Sequence, residues 1–250
     1  MTDVPYGNLP RQCLDIYQPR HQSARYTVVF IHGGSWRFGN KDQYAYVGQA
    51  LAQRGINCIV LNYRLFPEAV YPEFIHDVAH ALAWLNDSAE YYGLANLPVF
   101  LMGHSAGAHL AMLAVMDERM AVKIDFEPQL VKGIVSLAGV YSFRPENSAL
   151  YQKIFPSEVS GENYADTKPV NFVKRNGVPL YLLHGRQDQT VACRSAERMY
   201  KNALLVDHPV YLEVRESYGH VEPLLDLISF SPNHKKLMMA LEQFMWDHAE

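Results

Sequence analysis

Short, continuous apolar runs alternate along the chain with longer stretches in which apolar residues return every third or fourth position. The runs Val28-Val29-Phe30-Ile31 and Ile56-Asn57-Cys58-Ile59-Val60-Leu61 are rich in β-branched residues and too short for an ordinary helix, so they predict buried strands. Val99 to Met102, Ile134 to Leu137, Leu180 to Leu183 and Val210 to Val214 have the same character. Strands apolar on both faces predict a mostly parallel sheet, because only helices on both sides remove such strands from water. Helical periodicity falls between them, at Asp42 to Arg54, Glu73 to Asn86, Ala106 to Glu118, Arg194 to Leu205 and Asn233 to His248. The alternation predicts an α/β fold with helices on both faces of a central sheet. Gln12 to Tyr17 alternates polar and apolar side chains, the pattern of an antiparallel edge strand.

Tyr141 to Gly177 interrupts this alternation with Pro, Asn, Ser and Glu between short apolar patches, and predicts a small insertion. A lid or pocket wall and a plain surface loop are equally good readings of it. No linker or repeat divides the chain, and 250 residues suffice for one large core, so a single domain over residues 1–250 is expected.

Charge changes the picture mainly by exclusion. Lys and Arg number 22 against 26 Asp and Glu, a net charge of -4 with no basic cluster along the chain, which argues against nucleic acid or an anionic membrane as partner. No apolar run approaches the roughly 18 residues of a membrane span, and Met1 to Gln12 lacks the basic start and apolar run of a signal peptide. A cytoplasmic protein is expected. Cys13, Cys58 and Cys193 are odd in number and widely spaced, as expected of ordinary thiols.

Candidate chemistry begins at Gly103-His104-Ser105-Ala106-Gly107, a G-x-S-x-G run directly after one predicted strand and directly before a predicted helix. A strand-to-helix turn that tight projects the serine hydroxyl above the sheet, and the helix that follows aims its unpaired N–H groups at an anion forming there. Ser105 is therefore the candidate nucleophile. A serine requires a base, and the base requires an acid to hold its tautomer. In the order Ser, Asp or Glu, His, the candidates are Asp188, just beyond the strand Leu180 to Leu183, and His220, beyond Val210 to Val214. Both loops lie at the same sheet edge as Ser105. His184 and His208 compete for the base, and Glu216, Glu222 and Asp207 for the acid, but order and position favour His220 and Asp188.

His32-Gly33-Gly34-Ser35-Trp36 leaves the first buried strand at the place where an oxyanion loop belongs. The backbone N–H groups of Gly34, Ser35 and Ala106 are the expected donors to a carbonyl oxygen, since glycines let the main chain approach a substrate.

Together these runs resemble the α/β-hydrolase superfamily, and within it the carboxylesterases, the esterases similar to hormone-sensitive lipase, and the kynurenine formamidases. The resemblance extends to Asn62-Tyr63-Arg64-Leu65-Phe66-Pro67-Glu68 with Tyr71-Pro72 and Asp77. It implies a serine hydrolase with Ser105, Asp188 and His220 as triad, oxyanion donors from Gly34, Ser35 and Ala106, and a buttressing role without chemistry for Asn62 to Asp77. Lipase-like members usually carry a third glycine where this chain has Ser35, whereas Ser35-Trp36 leans toward the formamidase-like pattern. With fewer than about thirty residues before the first buried strand, only a short N-terminal arm fits, which implies an open pocket and small or medium acyl groups.

The expected substrate is a small-molecule ester, with water as the second reactant and no cofactor. Arylformamide hydrolysis uses the same side chains and stays open, as does a silent ligand-binding role of the fold. His76 and His80 stand i, i+4 on a predicted helix, but lack a third ligand or an H-E-x-x-H pattern, so no metal is expected. The oligomeric state does not follow from the sequence.

Overall fold

A computed structural model describes residues 1–120, 127–228 and 230–249. Strands β1 (Val4–Pro5), β2 (Cys13–Tyr17), β3 (Tyr26–Ile31), β4 (Ile56–Leu61), β5 (Val99–His104), β6 (Val131–Leu137), β7 (Leu180–Gly185) and β8 (Val210–Arg215) form one eight-stranded sheet. Its order is β1-β2-β4-β3-β5-β6-β7-β8, parallel from β4 to β8 and antiparallel where β2 meets β4. The antiparallel strand expected near Gln12 to Tyr17 is present, but it is not the edge. Val4 and Pro5 pair with Leu14 and Cys13 and cover it.

Pleating explains the continuous apolar runs. In β3, Val29 and Ile31 enter one core while Tyr26, Val28 and Phe30 enter the other, and β4 divides the same way between Ile59 with Leu61 and Ile56, Cys58 with Val60. Both layers need a helical cover. Helices α1 (Ala45–Gln53) and α7 (His234–Asp247) supply one, through Val47, Leu51, Leu237, Leu241 and Phe244. Helices α2 (Glu73–Ser88), α3 (Ala106–Met116) and α5 (Arg194–Leu205) supply the other. Every residue of α3 is buried, as expected of a helix apolar all round.

Two helix ends differ from expectation for local reasons. Residues Lys41–Tyr44 form a 3-10 turn ahead of α1, held by a capping box in which the Asn40 side chain accepts from the Asp42 N–H and Gln43 reaches back. At the far end of α3, Asp117 turns extended, and its carboxylate accepts from the Arg119 N–H at 3.1 Å and from Arg119 Nε at 2.8 Å. That local bonding stops the helix at Met116 rather than Glu118.

The segment from Tyr141 to Gly177 contains helix α4 (Ala149–Ile154) and several 3-10 turns. Ile154 and Phe155 are fully buried, the Tyr71 N–H donates to the Ile154 carbonyl at 2.8 Å, and the Phe155 ring lies 4.9 Å from Trp36. The segment is thereby packed onto α2 and the loop after β3. Helix α6 (Glu222–Leu225) is one turn between β8 and α7. Among the described residues, no helix is long and apolar enough to cross a membrane.

Candidate active site

The chain leaves β3 toward β4 on one side and reaches β5 on the other, so the C-terminal ends of β3 and β5 adjoin at a topological switch point. Ser105 stands in that crevice, on the turn between β5 and α3, with φ 53° and ψ −119°. Such a backbone costs on the order of 1–3 kcal/mol and persists only where the surroundings over-determine it. Here Gly107 does so. A Cβ on it would collide with the carbonyls of Ile31 and His32, so only glycine lets the first turn of α3 seat on the end of β3. The Ser105 N–H donates to the Leu137 carbonyl at 2.9 Å, tying the turn to β6 as well.

His220 Nε2 lies 2.9 Å from Ser105 Oγ, and its Nδ1 lies 2.8 Å from Asp188 Oδ2. The other carboxylate oxygen of Asp188 accepts from the backbone N–H groups of Thr190 and Val191, each at 2.8 Å. Burial pushes the Asp188 pKa up, but hydrogen bonds from His184, His220 and the Val191 N–H outweigh it and hold the carboxyl well below its ordinary range. A charged carboxylate in this place fixes Nδ1–H on His220 and leaves Nε2 as the proton acceptor facing Ser105.

The competing residues lie elsewhere or do something else. His208 bonds the Lys174 and Val178 carbonyls, Asp207 faces Arg175 at 3.9 Å, and Glu216 faces Arg186 at 3.5 Å. Glu222 accepts from the Gly219 N–H at 2.9 Å and so shapes the loop that carries His220. His184 is closer to the chemistry than its position at the strand end suggests. Its Nε2 lies 2.8 Å from the Val191 carbonyl and 3.3 Å from Asp188 Oδ2, so this nitrogen carries the proton and steadies the acid loop.

The loop after β3 runs through three consecutive positive φ values, Gly34 at 121°, Ser35 at 53° and Trp36 at 59°. The Gly34 carbonyl accepts from the N–H groups of Arg37 and Phe38, and a Cβ on Gly34 would strike the Phe38 carbonyl. Among the described residues, the N–H groups of Gly34, Ser35 and Ala106 have no protein acceptor. Ser35, Trp36, Ser105 and Ala106 line a cavity of about 890 Å3 with Phe143 and Tyr151 of the 141–177 segment. Gly34 shapes the loop without itself lining the cavity.

Two further histidines brace the site. His104 Nε2 donates to the His220 carbonyl at 3.0 Å, and burial pushes its pKa down to about 4, so it is a neutral strut. His109 accepts the Trp36 indole N–H at Nδ1 and donates from Nε2 to the Thr167 carbonyl at 2.8 Å. Burial also pushes His109 to about 4. Neither role shows in the sequence, because each contact joins residues far apart in the chain. Only their apolar setting, in the nucleophile motif and its helix, hints at burial.

Asn62 to Asp77 carries structure rather than reacting groups. Asp77 is fully buried and takes hydrogen bonds from Gln12, the Arg64 N–H and the Arg64 guanidinium between 2.8 and 3.1 Å. The Asn62 side chain receives the Lys41 N–H at 2.7 Å. No group of three potential metal ligands occurs among the described residues.

A nucleophile-elbow serine at the switch point of a mostly parallel sheet, with an imidazole and carboxylate delivered by later loops, defines the α/β-hydrolase class. The chain belongs to the BD-FAE family, whose model matches residues 14–203. It is 29% identical over 215 residues to a probable isoprenylcysteine alpha-carbonyl methylesterase ICME of Oryza sativa subsp. japonica, covering 79% of this chain and 52% of the relative. It is 31% identical over 212 residues to the probable carboxylic ester hydrolase LipM of Mycobacterium tuberculosis, covering 78% and 49%. It is 30% identical over 146 residues to the kynurenine formamidase of Danio rerio, covering 58% and 47%. The chain thus spans about half the length of the curated relatives it matches. Among solved structures, a truncated carbohydrate esterase from gut microbiota superposes with TM-score 0.80 at 20% identity, over 98% of this chain and 96% of that one, and shares its fold.

Proposed function

We propose that this protein is a serine esterase that cleaves carboxylic esters of small or medium acyl groups through an acyl-enzyme. One observation carries the proposal: the unbroken path Ser105 Oγ, His220, Asp188, with steps of 2.9 and 2.8 Å, opening on the cavity. In this mechanism Ser105 Oγ attacks the ester carbonyl as its proton passes to His220 Nε2. The Asp188 carboxylate stabilises the imidazolium, and the negative oxygen of the tetrahedral intermediate accepts from the N–H groups of Gly34, Ser35 and Ala106. His220 then protonates the leaving alkoxide. Water, deprotonated by the same imidazole, releases the acid and restores Ser105.

The aromatic wall of Trp36, Phe143 and Tyr151 supports a bounded acyl site. The similarity to a probable methylesterase and to the probable carboxylic ester hydrolase LipM supports ester hydrolysis. Labelling of the wild type by a fluorophosphonate, abolished in Ser105→Ala, is the expected result, and an unlabelled wild type would favour a silent ligand-binding role. A p-nitrophenyl ester series is expected to fall in kcat/KM toward long chains; a rise refutes the acyl size. Part of the proposal is that residues 1–250 act as one domain in the cytoplasm, with the cysteines carried as thiols.

Arylformamide hydrolysis is the second reading, favoured by the Ser35-Trp36 loop and the Danio rerio relative. Comparing N-formylkynurenine with p-nitrophenyl acetate decides between them, the larger kcat/KM naming the reaction.

A further inference from the structure

Arg144, Arg194 and Arg198 line the cavity beside Ser105, and among the described residues no Asp or Glu lines it. Their setting differs from that of Arg186. Arg186, in the loop ahead of α5, is neutralised by Glu197 at 2.5 Å and Glu216 at 3.5 Å. The Arg198 side chain donates only to the neutral Ser142 Oγ, at 3.3 Å, and among the described residues neither the Arg144 nor the Arg194 guanidinium has an ion-pair or hydrogen-bond partner. On a protein of net charge -4 this concentration is local, not a background excess of base.

The placement opposes local stability twice. Arg194 opens α5, where the positive end of the helix repels a cation. Arg194 and Arg198 stand i, i+4 on the same helix face, a like-charge spacing that also destabilises. Arg144 comes from the 141–177 segment and lines the same cavity. A site that gathers cations against its own electrostatics is complementary to an anion, and a guanidinium fork matches a carboxylate in geometry as well as charge.

Resting on the esterase reading, we propose that the substrate is an ester carrying a carboxylate, which Arg144, Arg194 and Arg198 receive while Ser105 attacks the ester carbonyl. The arginines make no covalent step. They select and orient.

The test uses two matched pairs that differ only in charge: 4-acetoxybenzoate with 4-acetoxybenzamide, which place the carboxylate on the leaving group, and monophenyl glutarate with its terminal amide, which place it on the acyl group. Calorimetric titration into Ser105→Ala reads binding without turnover. In one of the two pairs the carboxylate is expected to bind roughly tenfold or more tighter than its amide, as for paired charge-assisted hydrogen bonds. That ratio should fall toward one in Arg144→Gln/Arg194→Gln/Arg198→Gln and shrink with added KCl, and the corresponding triple lysine variant should keep part of it. Ratios near one in both pairs, or a preference that survives the glutamine variant, overturn the proposal. The chemistry is read separately, on wild type with the neutral esters and a fluorophosphonate. An enzyme that is labelled but indifferent to the carboxylate loses this inference alone, and one that is never labelled loses the esterase reading while the binding ratio still stands.

Discussion

The indole N–H of Trp36 donates to Nδ1 of His109 across 3.3 Å, joining the loop after β3 to the second turn of the helix that follows Ser105. His109 is fully buried, and its opposite nitrogen holds the Thr167 carbonyl. One imidazole therefore spans three chain segments that meet at the cavity.

Replacing His109 by alanine strands two buried polar groups, the Trp36 N–H and the Thr167 carbonyl. Each costs about 1–3 kcal/mol, so His109→Ala should lose several kcal/mol in urea unfolding. Released from its brace, the positive-φ turn at Ser35 and Trp36 should also position its N–H groups less well. A fall in kcat with little change in KM is expected; a variant equal to wild type in both stability and kcat refutes the bracing role.

Ser105→Ala, His220→Ala and the double variant should lose kcat to nearly the same extent, because members of a triad act as one unit. Asp188→Asn should cost about four orders of magnitude, since an amide supports the wrong imidazole tautomer. His184→Gln should cost less, because it leaves both bonds of His220 in place. Additive losses for the serine and the histidine would show that His220 is not the base.

His32, His104 and His109 are pushed by burial to about 4, against an ordinary value of about 6.5 in the unfolded chain. Above about pH 6.5 both states are neutral at these groups and their contribution to stability is complete. As pH falls toward 4 the unfolded chain takes up protons that the folded one refuses, so stability declines by about 1.4 kcal/mol per pH unit for each such proton. Asp188, held low, adds its own loss only at still more acid pH. The urea midpoint should drop clearly between pH 7 and pH 5, and His109→Gln should lessen the slope; a flat midpoint contradicts the burial argument.

Lys41 Nζ contacts Asp15 at 2.8 Å and Asp3 at 2.7 Å, and the side chains of Lys41 and Asp15 are each only 3% exposed. Removing one partner leaves a buried charge, so Lys41→Met should destabilise by about 3–5 kcal/mol. The pair lies outside the cavity, and esterase kcat of the folded variant should match wild type. In Lys41→Met/Asp15→Leu most of the stability should return. Failure of the second change to restore it would mean that the loss came from packing.

Gly107→Ala tests the seating of α3. A methyl group there has backbone carbonyls for neighbours, which do not yield as a flexible side chain does. Overpacking of this kind costs about 1–3 kcal/mol. Activity should fall by more than stability alone explains, because the displaced turn carries Ser105. Wild-type activity in Gly107→Ala would show that the turn has slack.

Most of the sheet was legible because its strands are apolar on both faces, and a run such as Ile56–Leu61 has no other compact solution. The turn around Ser105, with Asp188 and His220 beyond later strands, was legible because chain order and strand ends place loops without knowledge of packing. What escaped depended on tertiary partners. Val4–Pro5 is a strand only because Leu14 and Cys13 lie beside it, and α4 is a short helix in a polar segment whose Ile154 finds a core. His184 meets Asp188 through a turn, not a helix, although the two stand i, i+4. Arg144 and Arg194 are fifty positions apart, and only the closed fold makes them neighbours of one cavity.

The Ser105 turn is bolted to the sheet at both sides, by its N–H on the Leu137 carbonyl and by Gly107 against the end of β3. The rest of the cavity wall comes mostly from the 141–177 segment and from the 189–192 loop and first turns of α5, with Trp36 from the loop after β3. On the proposed esterase reading, reaction and recognition then fall to largely different stretches of chain, so exchanging the wall should alter the substrate range while the Ser105 turn stays as it is.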